Sequence, residues 1–290
     1  MATILAVGTA TLDIINEVDD YPAEDAEVRA LAQRRARGGN AANTLEVLAR
    51  LGHGARWAGV LADEPDADAI RASFDALGID HRGARREATG KVPTSYITLS
   101  RATGSRTIVH HRDLPEFGLD DFVALDLDAL DWLHFEGRNI EAVGAMLDHA
   151  RCHHPELPIS VEAEKPRPGL EALAARADVA LYGRAFATAR GYETPQPFLN
   201  AVAAEGPLSF CAWGEAGGWL REVDGTLHHE PAVPPPTVVD TIGAGDVFNA
   251  GVIHSLVGGR NPSEALALAN KLAGTKCGRI GFEGLEAVGS

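Results

Sequence analysis

Short apolar runs alternate along this chain with stretches whose apolar residues recur every three or four positions. The runs at 4–7, 56–61, 132–135, 159–162, 179–182 and 208–213 have the length and flanks of buried strands. Leu45, Leu48 and Leu51 set a helical stripe over 41–51, which stops at Gly52, a residue suited to end a helix. The pattern repeats at 67–77, closed by Gly78, and at 141–150. Two further helices are predicted at 244–257 and 262–276, with Pro262 near a helix start, where proline is tolerated. Repeated strand–helix alternation predicts an α/β protein with three layers: a mostly parallel central sheet covered by helices on both faces.

Two segments break this rhythm. Residues 27–37 follow Tyr21-Pro22 and carry no helix punctuation, and 94–99 and 106–111 flank Ala102-Thr103-Gly104-Ser105, a hairpin turn signal. These pieces predict a small separate β-sheet with one apolar face and no helix to cover it. Such a sheet serves as a lid over a site or as a dimer contact. No internal repeat, low-complexity linker or two-domain boundary is evident. The chain therefore reads as one domain over 1–290, with lid segments near 10–37 and 92–112.

Composition narrows the function classes. A chain of 290 residues, 45% of them apolar, can bury one large α/β core. A formal net charge of −15 argues against nonspecific binding to nucleic acid or to an anionic membrane. The dense basic cluster Arg34-Arg35-Ala36-Arg37 reads as a solvated strand face or a set of salt-bridge partners. Cys152, Cys211 and Cys277 are too widely spaced for a metal pattern or a disulfide framework, so a reduced, cytoplasmic protein is expected. The apolar run at 2–8 lacks a basic n-region and reads as a buried strand, not a signal peptide. No stretch approaches the ~20 apolar residues needed to span a bilayer.

The most informative segment is Asp240-Thr241-Ile242-Gly243-Ala244-Gly245-Asp246, which opens the apolar helix that follows it. Glycines at a helix N-terminus leave backbone N–H groups free to face an anion, and the helix dipole adds partial positive charge there. Asp246 then stands where it can accept a proton from an attacking hydroxyl; a tight turn with an ordinary first-turn Asp fits the same residues. Gly38-Gly39-Asn40-Ala41-Ala42-Asn43 is the second special stretch. Asn40 can cap the next helix, and Asn43 lies one turn on along the same side, so two amides could read vicinal hydroxyls. The plain alternative is a Gly-Gly loop with one capping and one exposed Asn. Asp13 follows the first strand, where ligands of parallel α/β sheets gather, or is a loop Asp. Arg106 could swing over a phosphate or sit solvated at a rim. Glu215 and Gly217 lie past a strand's carboxyl end, where a simple hairpin turn explains them equally well. The paired histidines lack metal-ligand spacing, and no Gly-x-x-x-x-Gly-Lys-Ser/Thr loop or early Gly-x-Gly-x-x-Gly is present.

An early Gly-Gly-Asn-x-x-Asn together with a late Asp-Thr-x-Gly-Ala-Gly-Asp resembles the ribokinase-like family of carbohydrate kinases. Tyr21-Pro22-Ala23-Glu24-Asp25, His134-Phe135-Glu136-Gly137-Arg138-Asn139, Val161-Glu162-Ala163-Glu164-Lys165-Pro166-Arg167, Cys211-Ala212-Trp213 and Lys276-Cys277-Gly278 with Gly281-Phe282 look like its ketohexokinase branch, over nearly the whole chain. That resemblance implies ATP-dependent phosphorylation of a primary hydroxyl of a ketohexose, fructose to fructose 1-phosphate. It implies Asp246 as base and Gly243, Ala244 and Gly245 as anion hole. Asp13, Gly39, Asn40 and Asn43 would bind the sugar, and Arg106, Glu215, Gly217, Gly243, Gly245 and Asn270 the nucleotide. ATP and Mg²⁺ are the implied cofactors, with K⁺ as a candidate monovalent cation. Two lids would clasp in a homodimer, with Asp25 reaching the neighbour's sugar site.

Two departures stand out. Many relatives carry Asn-x-x-Glu to organise Mg²⁺ through water, and the matching stretch here is Gly183-Arg184-Ala185-Phe186. Val247 follows Asp246 where Thr is common. Kinases for another sugar, a phosphosugar or a nucleoside remain rivals within the fold, and a non-catalytic sugar-binding regulator is the rival outside it.

Overall fold

The computed structural model describes residues 1–202 and 206–289. Its strands are β1 (Thr3–Val7), β2 (Thr11–Val18), β3 (Ala32–Gly38), β4 (Gly54–Ala58), β5 (Val60–Ala62), β6 (Arg85–Glu87), β7 (Lys91–Ser100), β8 (Arg106–Asp113), β9 (Trp132–Glu136), β10 (Ile159–Ala163), β11 (Val179–Gly183), β12 (Leu208–Ala212), β13 (Gly218–Arg221) and β14 (Leu227–Glu230). The main sheet runs in the order β14-β13-β12-β11-β10-β9-β1-β4. From β4 to β12 every neighbouring pair is parallel; β13 and β14 close that edge as antiparallel strands.

The apolar runs become strands because both their faces are covered. In β1, Ile4 and Ala6 enter one buried cluster, with residues of the helices Asn40–Arg50, Ala244–Val257 and Pro262–Cys277. Leu5 and Val7 enter the other, with the helix Ile140–His153. A strand buried on both sides needs a continuous apolar run, which is what the sequence carries. The three-layer expectation holds. The expected run at 56–61 is split at Gly59, leaving β4 in the main sheet and β5 paired with β6.

The second sheet has the order β3-β2-β7-β8, and the helix Pro65–Ala76 packs against its β2 and β3 strands, Asp66 pairing with Arg35 and the Phe74 ring lying under Arg37. The expected strand at 27–37 begins only at Ala32. Asp13, read from sequence as a residue beyond the first strand, lies inside β2, which pairs with both β3 and β7. Strand alternation gives the sheet two distinct faces. Thr11, Asp13, Ser95, Ile97, Arg106, Ile108 and His110 turn toward a large cavity. Tyr96 and Val109, directly opposite each other in register, lie on the other face and are 48% and 65% exposed.

Candidate active site

The cavity holds about 450 Å³ between the second sheet, the carboxyl ends of the parallel strands and the start of the helix Ala244–Val257. Strand ends supply Thr9, Glu136, Glu162, Glu164 and Gly183, and the helix start supplies Gly243, Ala244, Gly245 and Asp246. This is where ligands of parallel α/β sheets are expected.

Gly243 is the N-cap of that helix, at φ 80° and ψ 5°. Its left-handed backbone costs glycine little. A Cβ there would also come within 2.7 Å of the Phe282 ring. The turn leaves the first helical N–H groups facing the cavity, a ready anion site.

Asp246 is in the first helical turn and 6% exposed. Its Oδ2 accepts a 2.7 Å hydrogen bond from Asn43 Nδ2. Asn43 Oδ1 in turn accepts from the buried Arg37 guanidinium at 3.2 Å, and Arg37 pairs with Glu46. Asn43 therefore presents its amide group to Asp246 in one fixed sense. Burial pushes the Asp246 carboxyl well above its ordinary range, and the charges of Glu164 and Glu136 add to that; Asn43 and Arg37 oppose it.

Asn40 does not cap its helix. The N-cap is Gly39, at φ 100°, where a Cβ would meet the Thr9 carbonyl oxygen at 2.1 Å. Asn40 is freed for other work: its Nδ2 donates to Glu162 Oε1 at 3.1 Å and to Glu164 Oε2 at 2.9 Å. With both N–H groups engaged, Asn40 has only its carbonyl oxygen left for a ligand. Asn249 Nδ2 donates to the same Glu162 oxygen at 2.9 Å. The other Glu162 oxygen is buried without a partner, and burial together with Asp246, Glu164 and Glu136 drives this carboxyl upward too. Glu136, raised chiefly by burial, accepts from the Thr9 N–H at 2.8 Å. Asp13 Oδ1 accepts from Thr11 Oγ1 at 2.9 Å.

The structure thus brings Asp13, Gly39, Asn40, Asn43, Arg106, Gly243, Ala244, Gly245 and Asp246 to one cavity. Arg106 reaches from the start of β8 to Thr241 Oγ1 at 3.4 Å. Glu215, Gly217 and Asn270 are not among the lining residues. Glu215 lies in the short 3₁₀ turn Gly214–Ala216, past Ala212, and the Gly217 carbonyl closes that turn by accepting from the Trp213 N–H at 2.8 Å. Asn270 is 6% exposed and ties its helix to the sheet edge through the Glu230 carbonyl at 2.9 Å. Asp25 is exposed, at φ 64°, and likewise outside the cavity wall. The Arg34–Arg37 cluster is spent on ion pairs: Arg34 with Asp240, Arg35 with Asp66 and Arg37 with Glu46.

Sequence reasoning gave no individual role to Glu136, Glu162, Glu164, Arg138, Lys165 or Arg167, all of which line the cavity. The signal was available: each sits at or just past the carboxyl end of β9 or β10.

A model of the pfkB family of carbohydrate kinases matches residues 1–285, and the chain belongs to that family. It is therefore an enzyme, an ATP-dependent carbohydrate kinase with the ribokinase-like fold. It is 40% identical to the ketohexokinase of Mus musculus over 97% of this chain and 98% of that protein. It is 25% identical to an ATP-dependent ribose-1-phosphate kinase of Halopiger xanaduensis, over 97% of this chain and 94% of the relative. Among solved structures it is similar to a putative ribokinase from Agrobacterium tumefaciens, with a TM-score of 0.86, 25% identity and coverage of 99% of this chain and 96% of that one. Among the described residues no helix is long and apolar enough to cross a membrane.

Proposed function

We propose that this enzyme transfers the γ-phosphoryl group of ATP to a primary hydroxyl of a ketohexose, converting fructose to fructose 1-phosphate. The observation that carries this reading is the 2.7 Å bond from Asn43 to Asp246, beside the glycine turn at the helix start. The 40% identity to a ketohexokinase favours a ketohexose over other sugars.

Phosphoryl transfer needs positioning and charge stabilisation more than covalent help. Asp246 takes the proton of the attacking hydroxyl. The amides of Gly243, Ala244 and Gly245 hold the negative charge on the transferred group. Asp13, Asn40 and Asn43 bind sugar hydroxyls: Asp13 and Asn40 accept, while Asn43 keeps one N–H to donate. Arg106, carried on the lid, meets the nucleotide phosphates when the lid closes, and closure excludes water that would otherwise be phosphorylated. Glu215, Gly217 and Asn270 shape the sheet edge where the rest of the nucleotide lies.

Among the described residues no cluster of three or more His, Cys, Asp or Glu could hold a metal ion. Mg²⁺ would enter with the ATP phosphates and be met by this chain's residues through water. Glu164, exposed at the cavity wall, is the carboxylate suited to that contact in a chain lacking Asn-x-x-Glu. Two lids join in a homodimer through their uncovered faces, and Asp25 of each subunit completes the other's sugar site; its exposure outside its own cavity supports this. The enzyme works in the cytoplasm.

A second reading has its own support. Arg138, Lys165 and Arg167 line the cavity, a cationic group suited to a phosphate on the acceptor, and one relative is a ribose-1-phosphate kinase. ADP release measured across fructose, other hexoses, ribose, adenosine and phosphosugars, with the phosphorylated carbon determined, decides between them. Fructose is expected to be fastest among common hexoses. Strong turnover confined to a phosphosugar, ribose or adenosine would overturn the substrate, and sugar binding without turnover would favour a regulator.

A further inference from the structure

Lys276, in the last turn of the helix Pro262–Cys277, is 0% exposed, and the phosphoryl-transfer geometry above makes no use of it. Its Nζ donates to the Asp240 carbonyl at 2.8 Å and to the Arg279 carbonyl at 3.2 Å, and lies 3.3 Å from Asp240 Oδ2. Three acceptors thus meet the three N–H groups of one ammonium. Burying that charge is costly, and a long apolar side chain would fill the space without the cost. The charge calls for a reason at this place.

The reason lies in what Asp240 holds. Its Oδ1 accepts from the Ile242 N–H at 2.9 Å, fixing the strand of chain that enters the glycine turn. Its Oδ2 also pairs with Arg34 of the lid at 3.2 Å. The backbone N–H groups of Val239 and Asp240 both donate to the Cys277 carbonyl, at 2.7 and 3.2 Å. Phe282, whose ring centre is 5.9 Å from Lys276 Nζ, packs beneath Gly243. The end of this helix is the floor of the anion loop, and the Lys276 ammonium is built into it.

We propose that Lys276 is a positioning residue that acts as a tethered monovalent cation: its ammonium fills an oxygen cage behind the anion loop and holds Asp240 so that the loop amides and the lid meet the nucleotide phosphates in one arrangement. Carbonyl and carboxylate oxygens are the donors K⁺ itself takes. Here they are already engaged by an ammonium, so this cage does not fit an added K⁺. Its emptying should create a place for one.

The inference rests on the phosphate-binding reading of the loop, so the test separates the two. Wild-type turnover and ATP affinity test that reading; the behaviour of variants relative to wild type tests this one. Lys276→Met is expected to keep sugar affinity, measured by calorimetry, while ATP affinity and kcat/KM for ATP fall roughly 10–100-fold. Lys276→Ala is expected to regain activity, and to gain melting temperature, on saturable addition of NH₄⁺ or K⁺, but not of tetramethylammonium, which is too large for the cage. Asp240→Asn keeps the side-chain shape and removes the charge that the ammonium holds; it is expected to lose ATP affinity like Lys276→Met, and it serves if the Lys276 variants do not fold. A folded Lys276→Met with ATP affinity within twofold of wild type overturns the proposal. So does a folded Lys276→Ala indifferent to small cations, or an Asp240→Asn with unchanged ATP affinity.

Discussion

Asn43 and Asp246 share a 2.7 Å hydrogen bond although 203 positions separate them in the chain. The bond joins the two special glycine-flanked stretches into one site, since each stands at the first turn of its own helix and the two helices pack side by side. It also sets the direction of Asp246: with Oδ2 taken by Asn43, the remaining oxygen is the one available to an incoming hydroxyl.

Asp246→Asn should therefore lower kcat by about 10²–10⁴ while leaving sugar affinity within a few-fold of wild type. Steady-state kinetics and calorimetry on the same preparation check this. Near-normal turnover would remove Asp246 from the role of base.

In the proposed mechanism Asn43 would set the pH range in which Asp246 works as base. Burial, then Glu164 and Glu136, raise the Asp246 pKa, and the Asn43 bond lowers it. As pH falls through the raised pKa the carboxylate takes up a proton and can no longer accept one, so kcat/KM drops on the acid side above the usual carboxylate range. Asn43→Ala removes a stabiliser of the charged form, and the acid limb should move to higher pH. Stability follows the same sign. A carboxyl raised on folding contributes stability below its unfolded-state pKa and loses it as pH rises through the folded pKa. The variant should therefore lose more melting temperature at pH 8 than at pH 5. An acid limb that does not move would separate Asn43 from the ionisation.

The sheet and its helices were legible because strands such as β1 and β10 are buried on both faces and must be apolar without interruption. The lid was legible only in part. Glu27 to Leu31 mixes polar and apolar residues and reads as extended chain whether or not it pairs, and β2, whose register fixes Asp13, carries polar and apolar residues that suit either a loop or a half-buried strand. Within the site, Asp246 and Asn43 stood out because glycines marked their turns. Glu162 did not, since its role depends on Asn40 and Asn249 meeting one of its oxygens across distances of 122 and 87 positions. Of the two readings open for Asn40, the cap fails although a helix-start Asn is locally a good cap, because the carboxylates of β10 and the residue beyond it outcompete its own backbone.

Far from the cavity, two imidazoles link the chain ends. His53 Nδ1 accepts from the Ala2 N–H at 3.3 Å, His53 Nε2 lies 2.8 Å from His254 Nδ1, and His254 Nε2 lies 3.3 Å from the Gly289 carbonyl. One set of neutral tautomers satisfies all three bonds: His53 Nε2–H donates to His254, and His254 Nε2–H donates to Gly289. Burial, then the partner ring, holds His53 down to about 4, and burial lowers His254 as well. A histidine lowered on folding contributes stability above its unfolded pKa of about 6.5, and that stability is lost as pH falls toward the folded value. Melting temperature should fall from pH 7 to pH 4.5 more steeply in wild type than in the double variant His53→Gln, His254→Gln. Parallel curves would show that acid loosens some other part of the fold.

The exposed face of the lid gives the assembly its test. Tyr96 and Val109 oppose each other across β7 and β8, on the side away from the cavity, and are 48% and 65% exposed. Exposed apolar strand surface of this kind is a liability unless something covers it. A second lid is the proposed cover, and it would bring the partner subunit's copy of Asp25 within reach of the sugar end of the cavity. Sedimentation should find wild type as a dimer, and Val109→Glu, which buries a charge in the clasp, should shift it toward monomer. The monomer is expected to lose kcat/KM for sugar, while Asp25→Ala should lose it with the dimer intact. A mixed dimer built from Asp25→Ala and Asp246→Asn subunits then reports on shared sites. One of its two cavities lacks both Asp25 and Asp246 function and the other has both, so it should recover about half of wild-type activity if Asp25 crosses over. If Asp25 serves its own subunit, neither cavity is complete and no activity returns.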